Sequence, residues 1–524
     1  MTRIRSAITD DNRRWWTLGA MCFALFMIML DNTVVNVALP SIQKDLHSSI
    51  SGLEWTVNAY TLSFAVLLVT GGRLGDIFGR RRMFVFGVVV FGLASAFIGF
   101  SQSEAWLVFG RAVQGIGAAF MMPATLSIIS NAFPPHERGK AIGTWAGVSA
   151  LALAIGPVVG GFLVQSVSWQ SIFFLNVPVA GLAVFVTLAA TRESRDETST
   201  HHVDLPGVTF VSAGLASLVL ALVEGNSWGW GSPSILALFA AAAASLTGFV
   251  IAEQRVVEPM VDFSFFRSRS FLGSNLVAFI VTFAMLAMFF FLALYMQNIK
   301  GYSPLQAGIR FLPSTVIIIV AGPIAGRLAD RVGPRPLMVT GLLLVAGSLF
   351  WQGHLAVDTS YGFLVGAFVL MGFGMGLVMS PMSTAAMNAV DPAKAGVASG
   401  IVSMSRMVGG TFGVAAMGAL ITGLGKSKLD QLLPGVPAGQ RQGLADALGA
   451  GGGTQAGGQL GDAVREAFVY ALNDGLRIGA AVAVVGALVA WLLIADRAEA
   501  PAEVGAEGAV GGPAEAEPRL VEAA

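Results

Sequence analysis

About fourteen apolar stretches of roughly 18 residues or more follow one another along this chain of 524 residues. A stretch of that length can cross the hydrocarbon core of a bilayer as a helix. The composition agrees, because 55% of the residues are hydrophobic and only 12% are charged, about half the charged fraction of a soluble protein. The sequence therefore predicts an all-α membrane protein with about fourteen spans.

Lysine and arginine residues fall on alternate connections between the predicted spans. They precede the first span and follow the second, fourth, sixth, eighth and tenth, as at Arg80–Arg82. Basic residues are retained on the cytoplasmic side, so the pattern predicts a multi-pass protein of the cell (inner) membrane with both termini cytoplasmic. The zero net charge indicates no nucleic-acid partner, and the single cysteine, Cys22, excludes an intramolecular disulfide and a cysteine-rich metal site.

A short motif occurs twice, after the second and after the tenth span. The segment GRLGDIFGR at Gly72–Arg80 matches GRLADRVGPR at Gly326–Arg335. The same glycine, acid and base spacing at equivalent places of two six-helix units indicates a duplication. Duplicated halves form the two bundles of many membrane transporters.

The duplication divides the chain into four parts. The first is an N-terminal six-helix bundle over residues 1–195, followed by an inserted pair of helices over 196–262. The C-terminal six-helix bundle covers 263–496 and includes a long outer loop over 425–474. The tail over 497–524 is rich in Ala, Glu, Gly and Pro and is predicted to be a disordered cytoplasmic segment.

The repeated loop predicts a conformational latch between the two halves. Its glycines allow a tight turn and a close approach of helices. Asp76 can accept hydrogen bonds from the N-terminus of an adjacent helix or from Arg80. A plain hairpin turn would explain the arginines, but not the recurrence of Gly, Asp and Gly. The predicted latch residues are Gly72, Asp76, Gly79, Arg80, Asp330 and Arg335.

One carboxylate, Asp31, lies inside the first apolar stretch. A charge at that depth costs several kcal/mol, so an intramembrane acid is a candidate functional residue. Carboxyl groups in apolar surroundings can take up and release a proton near neutral pH. We therefore predict that Asp31 couples proton movement to transport, the alternative being a structural aspartate paired with a polar neighbour.

Arg111 is the second deeply placed charge of the first half. At 1.5 Å per residue it lies ~10 Å from the outer edge of its span, and Asp31 lies ~13 Å from the same edge. Opposite charges at matching depth are plausible partners, and pairing lowers the cost of burying each. Alternatively, Arg111 extends toward the surface or binds backbone carbonyl groups.

The fifth span contains a proline among glycines, in the segment Gly156-Pro157-Val-Val-Gly160-Gly161. Proline removes a helix hydrogen bond, and glycines permit bending or close packing. The segment is therefore a hinge or a tight interface against the other bundle, unless it serves ordinary helix packing.

Candidates for a substrate cavity are polar residues of the first half and aromatic residues of the ninth span. Aromatic side chains suit an apolar ligand, although in such helices they more often face lipid or the core. The predicted cavity residues are Asn32, Asn36, Asn58, Tyr60, Gln114, Phe283 and Tyr295.

These motifs together resemble the fourteen-helix drug:proton antiporter family of the major facilitator superfamily. The resemblance covers the chain from about Trp15 to Trp491 and includes the first-helix pattern Leu30–Pro40, the loop Gly72–Arg82, the fourth-helix segment Arg111–Gly117 and the fifth-helix glycines. It implies the major facilitator fold, two six-helix bundles with two inserted helices. It also implies proton-driven export of hydrophobic or cationic compounds, such as antibiotics in multidrug resistance.

The resemblance assigns roles to some residues and has one departure. It implies that Asp31 is the coupling acid, that Arg111 supports proton transfer and that the Gly156–Gly161 segment seals the cavity. Family members that carry divalent cations often have a second acid in the tenth helix, whereas Pro304–Ala325 has none and contains Arg310. Neutral, monovalent or anionic substrates are therefore expected rather than dications.

Other functions have less support in the sequence. The nearest approach to a phosphate loop, Gly425–Ser427, lacks the leading glycine, and the first-helix signature of peptide symporters is absent. No His, Ser or metal constellation supports an enzyme, and a receptor is a remote alternative. We expect no cofactor or metal, the proton gradient as the energy source, a monomer in the bilayer, and a small hydrophobic substrate. Export of one endogenous metabolite, as in antibiotic self-resistance, is the alternative to broad drug efflux.

Overall fold

The computed structural model describes residues 8–10, 12–47, 50–195, 204–256, 259, 261, 263–449 and 458–495. Regular structure in these ranges is entirely helical, so the predicted all-α class is confirmed. The predicted tail over 497–524 and part of both linkers around the inserted helices lie outside these ranges.

Fourteen long helices are formed within the described residues. They are α1 Arg13–Leu46, α2 Ile50–Phe78, α3 Arg80–Gly99, α4 Glu104–Ala132, α5 Pro135–Ser166, α6 Asn176–Ala190, α7 Leu205–Trp228, α8 Pro233–Glu253, α9 Arg269–Leu294, α10 Leu312–Val332, α11 Pro334–Gln352, α12 Tyr361–Asn388, α13 Ala395–Leu432 and α14 Gly458–Leu493. Short helical segments lie between them, at Ser171–Phe174, Phe263–Arg267, Tyr295–Ile299, Pro304–Arg310, Pro392–Lys394 and Ala438–Gly449.

Within the described residues, thirteen helices are long and apolar enough to cross a membrane by length and composition. The predicted fifth span falls on the remaining long helix, α5, which has 32 residues and packs between α1 and α10. The α13 and α14 helices both extend into the range 425–474 that the sequence analysis interpreted as an outer loop. They do so because Leu429 on α13 and Val464 and Phe468 on α14 join the buried core of the second bundle.

The helices form two bundles, each around its own apolar core. Helices α1 to α6 pack on one another, and α9 to α14 do the same. The inserted helices α7 and α8 pack together, and α7 also contacts α2 and α13. The bundles meet where α2 lies against α13 and where α5 lies against α10.

Glycines bring the backbones of the two bundles together at the arginine-rich end. A methyl group on Gly72 of α2 would lie 2.5 Å from the carbonyl oxygen of Gly396 on α13. At the equivalent place of the other seam, a methyl group on Gly326 of α10 would overlap the carbonyl group of Gly139 on α5. The two seams therefore repeat the same glycine-to-glycine packing, which fits a duplicated chain.

Each repeated loop ends in a glycine that no other residue replaces without strain. Gly79, between α2 and α3, has φ 107°, and Gly333, between α10 and α11, has φ 88°. Side chains other than hydrogen rarely tolerate this region of backbone space. The glycines of the motif thus have two separate uses, the turn itself and the contact between bundles.

Replacing Gly72 with valine should separate the bundles at the arginine-rich end. The new side chain would meet backbone atoms of Gly396 that cannot rotate away, and overpacking of this kind costs about 1–3 kcal/mol. Spin labels on exposed Arg82 and Arg327, in a variant with Cys22 replaced by alanine, should report a longer distance. The matched control is Gly19→Val, where a methyl group meets nothing within 4 Å; equal distances in both variants would contradict the tight seam.

Candidate functional site

Asp31 and Arg111 form a buried ion pair inside the first bundle. The Nη1 atom of Arg111 lies 2.5 Å from the Oδ2 atom of Asp31. Asp31 is 4% exposed and Arg111 is 1% exposed, so neither side chain reaches the surface of the protein. The two residues that the sequence placed at similar depth are thus in direct contact, between α1 and α4.

The guanidinium group of Arg111 is held on several sides. Nη1 also donates to the Oε1 atom of Gln114 at 2.6 Å, and Nε donates to the carbonyl oxygen of Thr56 at 3.0 Å. One face covers the ring of Tyr60, with the guanidinium carbon 4.2 Å from the ring centroid. Arg111 therefore binds a backbone carbonyl, as one alternative proposed, in addition to Asp31, and it does not extend toward the surface.

A network of neutral polar side chains surrounds the carboxylate of Asp31. Gln114 donates to Oδ1 of Asp31 at 2.9 Å and to the hydroxyl of Ser95 at 2.8 Å. Asn176 donates to the same Oδ1 atom at 3.3 Å and to Ser95 at 3.4 Å. Four helices, α1, α3, α4 and α6, thus contribute to one buried cluster. Gln114 belongs to this cluster and not to an open cavity.

Sequence reasoning missed Ser95 and Asn176. Each is an ordinary polar residue on a span that shows no recurring motif, and only the packing of α3 and α6 against α1 brings them to Asp31. The sequence signal that could have indicated them is that each is a polar residue within an otherwise apolar span.

The remaining predicted cavity residues do not form one site. Asn32 is half-buried beside the Tyr60 hydroxyl, and Asn58 is half-buried on α2. Asn36 lies outside the residues whose side chains the structure describes. Tyr60 lies under Arg111 and is 1% exposed, which makes it part of the ion-pair site.

The two aromatic cavity candidates lie in different surroundings. The Tyr295 side chain is fully buried in the second bundle, and its hydroxyl donates to the carbonyl oxygen of Ala356 at 2.6 Å. Phe283 packs against Phe279 and Phe412, with ring centroids 6.3 and 6.1 Å away, but it is half-buried and lines a cavity within the second bundle. Tyr295 therefore fills space in the core, whereas Phe283 remains a candidate cavity residue.

The fifth-helix glycines face the first helix and not the other bundle. A methyl group on Gly156 would overlap the Thr33 side chain, and one on Gly160 would lie 3.1 Å from Cγ1 of Val34. A methyl group on Gly161 would meet nothing within 4 Å, and the Pro157 side chain lies outside the described residues. The expected interface with the other bundle is therefore wrong for this pair of glycines, since α1 occupies that face of α5.

The second bundle repeats this packing. Methyl groups on Gly409 and Gly413 of α13 would overlap the backbone of Phe279 and Phe283 on α9. The four-residue spacing on α13 equals that of Gly156 and Gly160 on α5. The duplication thus extends beyond the loop motif, to a glycine pair that lets the fifth helix of each bundle approach the first.

The first loop forms a buried contact between the bundles. Asp76 accepts hydrogen bonds from the backbone N–H groups of Gly396 and Val397, at 2.9 and 2.8 Å, in the first turn of α13. It also accepts from Nε of Arg80 at 2.8 Å, and Arg80 donates in turn to the carbonyl oxygen of Pro392 at 2.8 Å. A carboxylate at a helix N-terminus is stabilised by the helix dipole. Both partners foreseen for Asp76 are engaged at once.

The second loop reproduces the first only in part. Asp330 lies against the other bundle as Asp76 does, because a methyl group on Gly139 of α5 would lie 2.6 Å from Oδ1 of Asp330, and one on Gly396 of α13 would overlap the Asp76 carboxylate. Asp330 is exposed, however, whereas Asp76 is fully buried. Arg335 turns away to the end of α14, where its Nε donates to the carbonyl oxygen of Ile494 at 2.7 Å. The position four residues after Asp330 holds Pro334, so the basic residue comes one position later and points elsewhere around the helix. The second loop thus keeps its acid against the other bundle, while Arg335 also binds the end of α14.

Two six-helix bundles with duplicated loops, joined at one end, are an architecture of membrane transporters. A model of the Major Facilitator Superfamily matches residues 21–414. The chain belongs to this superfamily and is a multi-pass membrane transporter.

Curated relatives cover nearly the whole chain. It is 36% identical over 490 residues to the tetracenomycin C resistance and export protein of Streptomyces glaucescens, which covers 91% of each chain. It is 35% identical over 500 residues to the puromycin resistance protein pur8 of Streptomyces alboniger, with 94% of each chain covered. The multidrug resistance protein Stp of Mycobacterium tuberculosis is 36% identical over 406 residues, 77% of this chain and 75% of Stp.

A solved structure shares the fold. The human organic anion transporter MFSD10 superposes with a TM-score of 0.60 at 13% identity, covering 92% of this chain and 99% of that chain. Together with the family match, this confirms the predicted major facilitator fold.

The stability of the first bundle should depend on Asp31 and Arg111 as a pair. Arg111→Met leaves a buried carboxylate without its cation, which costs about 3–5 kcal/mol. The same change in an Asp31→Asn background should cost at least ~1 kcal/mol less, because no charge is then left unpaired. The free energies of unfolding of the wild type, the two single variants and the double variant, measured in mixed micelles, give the coupling energy between Asp31 and Arg111. In a control cycle, Arg310→Met takes the place of Arg111→Met, and its effect should add to that of Asp31→Asn. Additivity for the Asp31–Arg111 cycle as well would contradict the pairing.

The two loops offer a matched test of the latch. Asp76→Asn removes a buried charge that binds both a helix N-terminus and Arg80, so the arginine-rich end should open more often. Asp330→Asn alters an exposed carboxylate beside Gly139 at the other seam, and its effect should be several-fold smaller because solvent screens an exposed charge. Cysteine labelling near Gly396 for the first variant and near Gly139 for the second measures the opening of the respective seam. Equal labelling rates would contradict the proposed asymmetry.

Proposed function

We propose that this transporter exports hydrophobic, neutral or monovalent antibiotics in exchange for protons. The observation that carries the proposal is the buried Asp31–Arg111 pair inside one bundle of a two-bundle transporter. An intramembrane acid with a nearby arginine can exist charged and paired, or neutral. Proton binding at such a site changes the net charge of the bundle, which gives a proton gradient a point of action.

The surrounding network supports both protonation states. When Asp31 is ionised, its oxygens accept from Arg111, Gln114 and Asn176. When Asp31 binds a proton, Arg111 keeps Gln114 and the carbonyl oxygen of Thr56 as acceptors. The cation then has hydrogen-bonded oxygens on two sides, which reduces the penalty for a buried charge without a counterion. In this mechanism the proton is exchanged with modest local rearrangement.

A continuous packed path links Asp31 to the contact between bundles. Thr33 and Val34, two and three residues after Asp31 on α1, lie against Gly156 and Gly160 on α5. The same helix α5 packs along α10 of the second bundle. If α1 shifts when Asp31 is protonated, α5 would move with it and displace the seam, because closely packed helices have low compressibility. Alternating access would then arise from opening and closing of the seams around Gly72 and Gly326.

We propose that the arginine-rich end faces the cytoplasm and that the protein lies in the cytoplasmic membrane. Arg80–Arg82 and the basic residues after α10 lie at the end where the bundles meet, and the positive-inside rule assigns that end to the cytoplasm. The bundles of the described conformation are therefore closed on the cytoplasmic side. No cofactor is required by this mechanism, and a single chain contains every group that it uses.

A dedicated exporter of one antibiotic is the second candidate. Two relatives that cover more than nine-tenths of the chain are named for a single antibiotic each, tetracenomycin C and puromycin, whereas Stp is named for multidrug resistance. Expression of this chain in an efflux-deficient host separates the two: resistance to one compound class indicates a dedicated exporter, and resistance to several unrelated classes indicates broad efflux.

Asp31→Asn should abolish proton-coupled export and leave the fold intact. Asparagine keeps the shape of aspartate but cannot exchange a proton, and it still accepts from Gln114 and Asn176. In proteoliposomes with an imposed pH gradient and a trapped pH dye, puromycin or tetracenomycin C should trigger proton release through the wild type. The variant should give the signal of protein-free liposomes.

Asp330→Asn is the control for this assay, because it also removes one carboxylate but lies near the end of α10 in the second bundle, away from the ion pair. It should retain most of the coupled flux. Unchanged pH-driven transport in Asp31→Asn, with the protein correctly folded, would overturn the coupling role of Asp31.

A further inference from the structure

Arg406 is a charged residue near the middle of α13. It lies eleven residues after Ala395, the first residue of the helix, or ~17 Å along the axis. A hydrocarbon core is about 30 Å thick, so Arg406 lies near its midplane. A cation at that depth is costly unless something neutralises it.

Two almost fully buried arginines of the described residues, Arg111 and Arg80, are fully engaged, and Arg406 is not. Arg111 binds Asp31, Gln114 and a backbone carbonyl, and Arg80 binds Asp76 and two backbone carbonyls. In the part of the chain that the structure describes, Arg406 forms no ion pair and no side-chain hydrogen bond. The contact that the described residues show for its guanidinium group is a cation–π contact with an aromatic ring. The contrast argues against a purely structural role, which would require partners of its own.

That ring belongs to the other bundle. The guanidinium carbon of Arg406 lies 5.7 Å from the centroid of the Trp145 ring on α5. Trp145 is itself fixed, because its indole N–H donates to the hydroxyl of Thr125 at 3.2 Å. Arg406 therefore stands at the junction of the two bundles, where a substrate must pass in an alternating-access transporter.

Two methionines flank Arg406 along α13, at the same junction of the bundles. The neighbouring residues Met404 and Met407 on α13 pack against the core of the first bundle, and methionine side chains fit ligands of varied shape. Arg406 is half-buried, so the residue is not sealed in the core as Arg111 is. A planar fork of N–H donors beside an aromatic face suits a carboxylate or an acidic phenol attached to an aromatic body.

We infer that Arg406 binds the acidic group of the exported compound, and that the preferred substrates are aromatic monoanions. This inference rests on the proposed export function and specifies its substrate class. The Asp31–Arg111 pair balances its own charge, so the cation at the junction belongs to Arg406. A bound monoanion would neutralise it, whereas a cationic drug would meet repulsion at the same place.

Binding of two matched probes tests the inference without a proton gradient. Anthraquinone-2-carboxylate and anthraquinone-2-carboxamide share one aromatic body and differ in charge at neutral pH. Calorimetric titration of the purified full-length protein should show about tenfold tighter binding of the carboxylate, as expected for a charge-assisted hydrogen bond. In Arg406→Gln the two affinities should become equal, and Arg406→Lys should retain part of the preference.

Arg310→Gln is the matched control, because Arg310 also lies over aromatic rings, Tyr302 and Tyr361, but at the far end of the short helix Pro304–Arg310. It should keep the wild-type preference. A structural role for Arg406 would lower the melting temperature of Arg406→Gln without changing the ratio of the two affinities, and that result would overturn the inference.

Two further outcomes would also overturn it: equal binding of both probes by the wild type, or binding of neither. The proposed export function is judged separately by the pH-gradient assay with Asp31→Asn. A protein that shows coupled export but no preference for the acid would retain the function and lose the assigned substrate class.

Discussion

Charges buried in an apolar interior must be neutralised or hydrogen-bonded, and this requirement organises the structure. Asp31 and Arg111 satisfy each other within the first bundle, assisted by Gln114 and Asn176. Asp76 and Arg80 satisfy each other at the seam and share backbone groups of the opposite bundle. An unpaired charge at either place would cost several kcal/mol. The two pairs therefore stabilise the arrangement of the helices that carry them.

In the proposed mechanism the two pairs have different roles. The first is enclosed in one bundle, where a change of its charge would not open the site to both sides at once. The second lies between the bundles, where breaking it would open one end. Close glycine packing of α1 on α5 and of α5 on α10 connects the two regions through rigid contacts. The duplication supplies this packing twice, and each loop places its acid against the other bundle. Among the contacts of the described residues, the buried acid–arginine pair belongs to the first loop, since Pro334 occupies the place of Arg80 in the second.

Much of this arrangement follows from the sequence. Long apolar runs predicted the helices, the repeated Gly-Asp-Gly loop predicted two halves, and equal depth predicted that Asp31 and Arg111 could meet. Other features depend on three-dimensional packing that has no local pattern. Ser95 and Asn176 come to Asp31 only through the crossing of α3 and α6, and Tyr295 is withdrawn into the core by a bond to Ala356. Gly156 likewise faces α1 because of how α5 packs between α1 and α10, which the sequence does not reveal.

The central claim is that Asp31 binds and releases the transported proton. Infrared difference spectroscopy of the protein in lipid measures this directly, through the stretching band of a protonated carboxyl group. Acidification or substrate release should produce such a band in the wild type, and the band should be missing from Asp31→Asn while it persists in Asp330→Asn. A band of unchanged size in Asp31→Asn, or its absence from the wild type across the working pH range, would contradict the claim.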